Sequence, residues 1–159
     1  MTTVYLKPHK EESLLRFHPW VFSGAIRSIQ LDADYPYAQP QEGEVVQVVD
    51  SKGNIQGVGH YQIGSIAVRI LAFGVGELPA DFWQERIGAA YEVRQTLGLI
   101  STTNNSYRLV HGEGDFLPGL IVDVYADTAV VQAHSIGMHC SRKEIAEAIA
   151  EIVPQVSKV

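Results

Sequence analysis

The stretch "EGEVVQVVDSKGNIQGVGHYQIGSIAVRILAF", residues 42–73, decides the fold of the first half of the chain. Its first segment is rich in β-branched residues and ends at the turn sequence "DSKGN", residues 50–54. In its last segment β-branched residues occupy every second position, at Ile66, Val68 and Ile70. This two-residue period, broken by Asp/Gly turns, is typical of consecutive strands. We therefore expect a compact antiparallel β module.

The following stretch, residues 74–99, changes from the strand period to a helical period. Asp81 with Gln84 three residues later forms a capping pattern, and Gly98 lies where a helix terminator belongs. The sequence "STTNNS", residues 101–106, is typical of a linker. We therefore place a boundary between two structural units at this helix and linker.

A second unit begins with "YRLVHGEGDFLPG", residues 107–119, and continues into the hairpin sequence "LIVDVYADTAVVQAH", residues 120–134. An amphipathic helix follows. Ser141 and Glu144 form its capping box, and Cys140 is placed to pack on Ile145 as a hydrophobic staple. The order β-β-β-α makes the chain α+β. Because such a helix normally returns into another strand, we expect this unit to be incomplete.

Composition excludes several classes of protein. The chain has 159 residues with 46% apolar and 19% charged residues, and no apolar run approaches the roughly 20 residues that span a bilayer. The N-terminus lacks the apolar region of a secretion signal, so we expect a cytoplasmic location and no membrane partner. The single cysteine allows no internal disulfide and no zinc site of the CxxC type.

Charge is distributed unevenly along the chain. The net charge is -6, yet residues 1–30 carry four basic residues against two glutamates and are therefore +2. Within this segment the sequence "RFHPWVFSGAI", residues 16–26, adds aromatic rings to the basic residues. Cations that contact phosphates beside rings that stack on unpaired bases suit RNA. The alternative is that Trp20, Val21 and Phe22 are core residues and that the basic residues are only solvated.

Three other patterns suggest chemistry, and each has a plainer interpretation. In "HGEGD" the side chains of His111, Glu113 and Asp115 would share one side of an extended segment and could bind a metal, as in a metal-dependent hydrolase. The alternative is a Gly-rich bend whose polar side chains bond the backbone. Cys140 precedes a helix that could stabilise a thiolate, but the staple position explains it equally. The glycines at 57, 59 and 64 lack the spacing of a nucleotide loop, so we expect no cofactor site in this chain.

Taken in order and spacing, "SLLRFHPWVFSGAI", "GEVVQVVDSKGNIQGVGHY", "SIAVRIL" and "YRLVHGEGDFLPGLIVDVYADTAVVQ" resemble the N-terminal half of class I S-adenosylmethionine-dependent methyltransferases that act on cytosine C5 of large-subunit ribosomal RNA. The resemblance implies a β-rich, barrel-like PUA domain at residues 2–76 that binds RNA. It also implies a connecting helix and linker at 77–103 and a small central domain at 104–159. The catalytic doubly wound domain, with its S-adenosylmethionine site, is expected outside these residues.

On this basis we expect the chain to hold ribosomal RNA for a catalytic domain, without catalytic or cofactor residues of its own. The phosphate contacts are predicted at Lys7, Lys10, Arg16, His18, Arg27 and Arg69, whereas Trp20 and Phe22 are predicted to be core residues. Two positions depart from the family pattern. Ala126 and Phe116 stand where relatives often have Gly, so Ala126 would be strained if its turn needs a positive φ. The rival function is a protein-interaction module, for example a homodimer.

Overall fold

A computed structural model describes residues 1–159. It divides the chain into two compact units, Met1–Leu78 and Pro79–Val159, and the connecting helix predicted from the sequence lies in the second unit. The chain is of mixed α+β class, as predicted. None of its helices is both long and apolar enough to cross a membrane.

The first unit is a single six-stranded sheet with two short 3-10 turns, at Leu14–Arg16 and Ser23–Ala25. Its strands lie in the order β2-β6-β5-β4-β1-β3, and every neighbouring pair is antiparallel except the parallel pair β1 and β4. Their bounds are β1 Thr3–Leu6, β2 Trp20–Phe22, β3 Ile26–Gln30, β4 Val45–Val49, β5 Ile55–Tyr61 and β6 Ile66–Phe73.

The sheet of the first unit buries one side of its strands in a shared apolar core. This core includes Val4, Leu6, Val46, Val68 and Ile70, which are all almost completely buried. Strands β5 and β6 approach so closely that a Cβ atom at Gly59 would lie 2.1 Å from the carbonyl oxygen of Arg69. Only glycine fits at this position, which explains one of the glycines that the sequence places in a strand.

The second unit packs helices on a three-stranded antiparallel sheet of order β7-β8-β9. Its core includes Ile87 of α1, Leu109 of β7, and Ile145 and Ile149 of α3. Lys158 forms an isolated parallel bridge with Thr128 at the start of β9. The element bounds are α1 Phe82–Thr96, β7 Ser106–His111, β8 Leu120–Tyr125, β9 Thr128–Ala133, α2 Ile136–Cys140 and α3 Arg142–Ile152.

Local details of the second unit differ from the sequence predictions. Asp81 is the N-cap residue of α1, but its side chain makes no capping hydrogen bond. The short helix α2 was not predicted; Ser135 caps it by accepting a hydrogen bond from the backbone N–H of Met138. The hydrophobic staple predicted at Cys140 is wrong, because this side chain lies exposed at the end of α2.

The turn between β8 and β9 contains the backbone strain anticipated at Ala126. Tyr125 pairs with Thr128, so Ala126 and Asp127 form a two-residue turn, and Ala126 has a φ of 54°. A left-handed backbone costs a non-glycine residue about 1–2 kcal/mol. Replacing Ala126 by glycine would remove this cost, but the net gain would be smaller, because glycine loses more conformational entropy on folding than alanine.

We predict that Ala126→Gly raises the free energy of unfolding of the second unit by about 0.5–1 kcal/mol, because glycine relieves the strain at this φ. Urea denaturation followed by Trp83 fluorescence in a Trp20→Phe background measures this unit. Ala133→Gly, on the extended strand β9, is the matched control and should lower the same free energy. A loss of stability in Ala126→Gly would contradict the assignment of strain.

Candidate nucleic-acid interface

The edge strand β2 presents two aromatic rings outward and one aliphatic side chain inward. Side chains alternate along a strand. Val21 is 3% exposed in the core, whereas Trp20 is half-buried and Phe22 is 49% exposed. The prediction that Phe22 is a core residue is therefore wrong, and Trp20 is only partly buried. The prediction treated the three consecutive residues Trp20, Val21 and Phe22 as one buried group, but a strand with one buried face can bury only every second side chain.

The rings of His18, Trp20 and Phe22 form a continuous series, which we call the ring ladder. The centroids of His18 and Trp20 lie 5.4 Å apart, and those of Trp20 and Phe22 lie 6.3 Å apart. Both pairs are edge-to-face, with interplanar angles of 89° and 88°. Edge-to-face pairs are a favourable ring geometry, so each ring holds the next in position.

A cleft of about 380 Å³ opens beside the ring ladder, and we call it the aromatic cleft. Part of its wall is formed by Gly24, in the 3-10 turn that follows β2. A Cβ atom at Gly24 would meet no atom within 4 Å, so the space here is open. The cleft is lined by Lys10, Ser13, Trp20, Val21, Phe22, Gly24 and Ala25.

Two of the predicted basic residues lie at the aromatic cleft. Lys10 forms part of its wall. Lys7 follows β1; its backbone N–H donates to the carbonyl of Ala25 at 2.8 Å, and its ammonium Nζ donates to the carbonyl of Gly24 at 2.7 Å. Neither lysine takes part in a salt bridge. The cleft thus combines the exposed ring of Phe22 and the half-buried ring of Trp20 with two cationic side chains.

Arg16 and Arg27 make contacts elsewhere in the unit. The Nε of Arg16 donates to the carbonyl of Glu12 at 3.3 Å, and the guanidinium lies 4.0 Å from the Glu12 carboxylate. Arg27 lies on β3, at the opposite end of the sheet order from β2. Its guanidinium lies 5.5 Å from the ring centroid of Tyr5. Neither arginine lines the aromatic cleft.

Arg69 of β6 lies beside Trp20, in a row across three strands. In the sheet it pairs with Trp20 of β2 on one side and with His60 of β5 on the other. Its guanidinium donates to Oε1 of Gln62 at 3.2 Å. His60 is buried, and this burial, together with the positive charge of Arg69, lowers the pKa of the imidazole to about 4. Arg69 is half-buried and is therefore better placed to support Trp20 than to reach solvent.

The structure contradicts the metal-binding interpretation of "HGEGD", which the sequence left open beside a plain bend. Residues Gly112–Asp115 form a 3-10 turn, so His111, Glu113 and Asp115 do not share one side of an extended segment. The carboxylate of Asp115 instead accepts a bidentate pair of hydrogen bonds from Arg94, one of them 2.8 Å long. It also accepts the backbone N–H of His111 at 2.6 Å. No three His, Cys, Asp or Glu side chains are grouped to hold a metal ion. The alternative of a bend held by side-chain-to-backbone bonds is confirmed for Asp115.

Phe116, where the family pattern has Gly, is an exposed ring. Its φ of 56° is left-handed, and its backbone N–H donates to the carbonyl of Glu113 at 3.1 Å. The guanidinium of Arg86 lies 5.4 Å from its ring centroid and 5.6 Å from that of Phe82. Arg86 therefore ties the exposed ring to α1.

The strand β8 and the turn that follows it do not fit the methyl-donor site of a doubly wound domain. The acidic residue of the apolar strand β8, Asp123, forms a bidentate pair with Arg108, with hydrogen bonds of 2.8 and 3.0 Å. A two-residue turn then leads from β8 directly into the antiparallel β9. In a doubly wound domain a glycine-rich loop and a helix N-terminus would follow such a strand.

Comparison with protein families identifies residues 4–73 as a PUA-like domain. These residues run from β1 to the end of β6 and include the ring ladder and both lysines of the aromatic cleft. The β-rich, PUA-like character predicted for the first part of the chain is confirmed.

Sequence relatives extend the match over both units. The chain is 35% identical over 158 residues to "Ribosomal RNA large subunit methyltransferase I" of Tolumonas auensis; the match covers 98% of this chain and 38% of the relative. It is 38% identical over 149 residues to the protein of the same name from Shewanella denitrificans, a match that covers 92% of this chain and 36% of the relative. The predicted resemblance to the N-terminal part of methyltransferases of large-subunit ribosomal RNA is confirmed. The chain spans less than two fifths of the length of these curated relatives.

Solved structures share the fold. A candidate S-adenosylmethionine-dependent methyltransferase of Streptococcus mutans superimposes with a TM-score of 0.76 at 18% identity, over 98% of this chain and 39% of that one. A methyltransferase candidate complexed with SAH matches with the same TM-score and identity, over 38% of its chain.

We predict that Asp115→Asn lowers the free energy of unfolding of the second unit by about 3 kcal/mol, because it leaves the buried guanidinium of Arg94 without its ion-pair partner. Asp127→Asn is the matched control, since the Asp127–Lys158 pair is exposed and worth less than about 1 kcal/mol. Urea denaturation followed by Trp83 fluorescence compares the two. Equal losses in both variants would contradict a structural role for the Arg94–Asp115 pair.

We predict that the first unit loses stability on acidification because of His60. The pKa of His60 is about 4 in the folded unit, below the value of about 6.5 expected for an unfolded chain. The unfolded chain therefore binds a proton first, so stability is full above pH 6.5 and falls as the pH drops toward 4. The expected loss between pH 7 and 5 is about 2 kcal/mol.

The measurement is urea denaturation at both pH values, followed by Trp20 fluorescence in a Trp83→Phe background. In His60→Gln this part of the pH dependence should disappear. His9→Asn is the control, because His9 is exposed and Asn tolerates its left-handed φ of 62°. An unchanged pH dependence in His60→Gln would show that another group titrates.

Proposed function

We propose that this chain, whose residues 4–73 are a PUA-like domain, is the RNA-recognition part of a methyltransferase that acts on large-subunit ribosomal RNA. The observation that carries the proposal is the aromatic cleft, where exposed rings and two lysines outside any salt bridge share one surface. Lysines attract phosphates and rings stack on bases, so the cleft has the two components of an RNA contact.

The local charge supports an RNA partner despite the acidic chain. Electrostatic attraction to phosphates is screened over about 8–10 Å at physiological salt, so the lysines at the cleft count for more than distant carboxylates. We assign the phosphate contacts to Lys7, Lys10 and His18 at the cleft and ring ladder. Arg16 and Arg27 are proposed as outer contacts, and Arg69 as a support of Trp20.

For the whole protein we propose methyl transfer from S-adenosylmethionine to cytosine C5 of ribosomal RNA, in the cytoplasm. The names of the relatives support the class of substrate, and the family resemblance supports the cytosine. S-adenosylmethionine would supply the methyl group. The task of the residues described here is to bind and orient the RNA.

A second candidate function, a protein-interaction module, is favoured by an apolar surface on the first unit. Leu15 is 67% and Phe17 63% exposed, and the ring of Phe17 packs edge-on against Phe73 at 5.4 Å. Ile55 lines the same cavity, which has a volume of about 250 Å³. A second copy of the chain is the simplest partner for such a surface. Light scattering distinguishes the two functions: a dimer that binds no RNA would favour this candidate.

We predict that the chain binds labelled fragments of large-subunit ribosomal RNA and that Lys7→Ala and Lys10→Ala weaken this binding. Each lysine that neutralises one phosphate contributes about 0.7–0.9 to the slope of log K against log salt concentration. In fluorescence-anisotropy titrations at a series of salt concentrations, the negative slope of each variant should therefore be less steep by about this amount.

Lys143→Ala is the control for this experiment, because Lys143 is an exposed lysine of α3 outside the PUA-like domain. Its slope should equal that of the unchanged chain. If no RNA binds at low salt, or if all three variants behave alike, the proposed RNA contact is refuted.

A further inference from the structure

We propose that the aromatic cleft holds one unpaired nucleobase of the RNA, stacked on Phe22, while the phosphates of the same strand lie on Lys7 and Lys10. This inference rests on the proposed function and specifies which part of the RNA the cleft binds. It assigns the rings of β2 to ligand binding, whereas Trp20 and Phe22 were predicted from the sequence to be core residues.

The ring of Phe22 is prepared for stacking before any ligand binds. It is about half exposed, and the edge-to-face contact with Trp20 holds it at 6.3 Å between centroids. Trp20 is in turn held by the ring of His18, at 5.4 Å. A fixed ring loses little conformational freedom on binding, which favours affinity.

The space in front of the rings suits one base. The cleft volume of about 380 Å³ lies near the lower end of the range of small-ligand pockets, about 300–1,000 Å³. Because Gly24 has no side chain, one wall of the cleft is open to an entering group. The cleft can therefore admit a flat aromatic ligand beside Phe22.

The charges at the cleft favour a base that is attached to a phosphate backbone. The Lys7 ammonium is oriented by its hydrogen bond to the carbonyl of Gly24, and an ammonium has three donors, so two remain for phosphate oxygens. Lys10 lies in the wall itself and forms no salt bridge. An apolar peptide side chain would fill the cleft without using either cation.

The geometry also selects unpaired over paired bases. In a duplex both faces of a base are covered by its neighbours, so only a bulged, looped or flipped base offers a face to Phe22. Stacking on a ring tolerates any base, because every base has a π face. We therefore expect the cleft to recognise an unpaired position in the RNA rather than a sequence.

The test uses two short RNA hairpins, one with a single bulged 2-aminopurine and one fully paired. The unchanged chain should prefer the bulged hairpin, and the 2-aminopurine fluorescence should be quenched on binding. Phe22→Ala should weaken binding of the bulged hairpin roughly 5- to 150-fold, the range for loss of one stacked base, and should leave the paired hairpin nearly unchanged.

A second variant keeps the ring and fills the cleft. Gly24→Leu places a side chain in the open space at a backbone position that is not left-handed, so the fold should be retained. It should abolish the quenching. Ile63→Leu, at an exposed turn position in the same unit, is the matched control and should bind like the unchanged chain. Circular dichroism confirms that each variant is folded.

The outcomes separate this inference from the proposed function. If the unchanged chain binds neither these hairpins nor ribosomal RNA, both are overturned. If it binds RNA but shows no preference for the bulge, or if folded Phe22→Ala and Gly24→Leu bind as tightly as the unchanged chain, only the base pocket is overturned.

Discussion

The pairing of the short strand β2 with β6 is the constraint on which the candidate interface depends. Val21 enters the core next to its pairing partner Val68, and the alternation of side chains then turns Trp20 and Phe22 away from the core. Phe22 is 49% exposed and Trp20 is half-buried, so the rings on this face are not fully covered. The strand β2 is thus attached through Val21 and supplies two of the three rings of the ring ladder, Trp20 and Phe22.

The backbone turn after β2 joins the rings to the charges. Lys7 reaches this turn through two hydrogen bonds, to the carbonyls of Gly24 and Ala25, although it is 17 residues away from Gly24 in sequence. On the neighbouring strand β6, Arg69 pairs in register with Trp20 and also pairs with buried His60 of β5. Lys7 therefore lies at the turn after β2, and Arg69 lies beside Trp20 on the neighbouring strand.

Patterns of local periodicity were sufficient to predict the strands of residues 42–73, the helix after Asp81 and the α+β class. They failed where tertiary context decides the outcome. Phe22 has the composition of a core residue, but its place on an edge strand exposes it. Asp115 resembled a metal ligand, but the turn at Gly112–Asp115 brings it to Arg94, a residue 21 positions earlier. Neither partner could be identified without knowing how the chain returns on itself.

Two residues with left-handed backbone, Phe116 and Ala126, show the same dependence on tertiary contacts. Phe116 and Ala126 both have positive φ, and both stand where the family pattern often has Gly. The positive φ at Ala126 was anticipated from the sequence, because the backbone demand of a short turn is local, whereas that of Phe116 was not. The side chains at the two positions differ in their contacts. The guanidinium of Arg86 on α1 lies over the ring of Phe116. Ala126 is exposed, and its methyl group is too small for a contact of this kind. The left-handed backbone of Phe116 is therefore accompanied by a side-chain contact, whereas that of Ala126 is not.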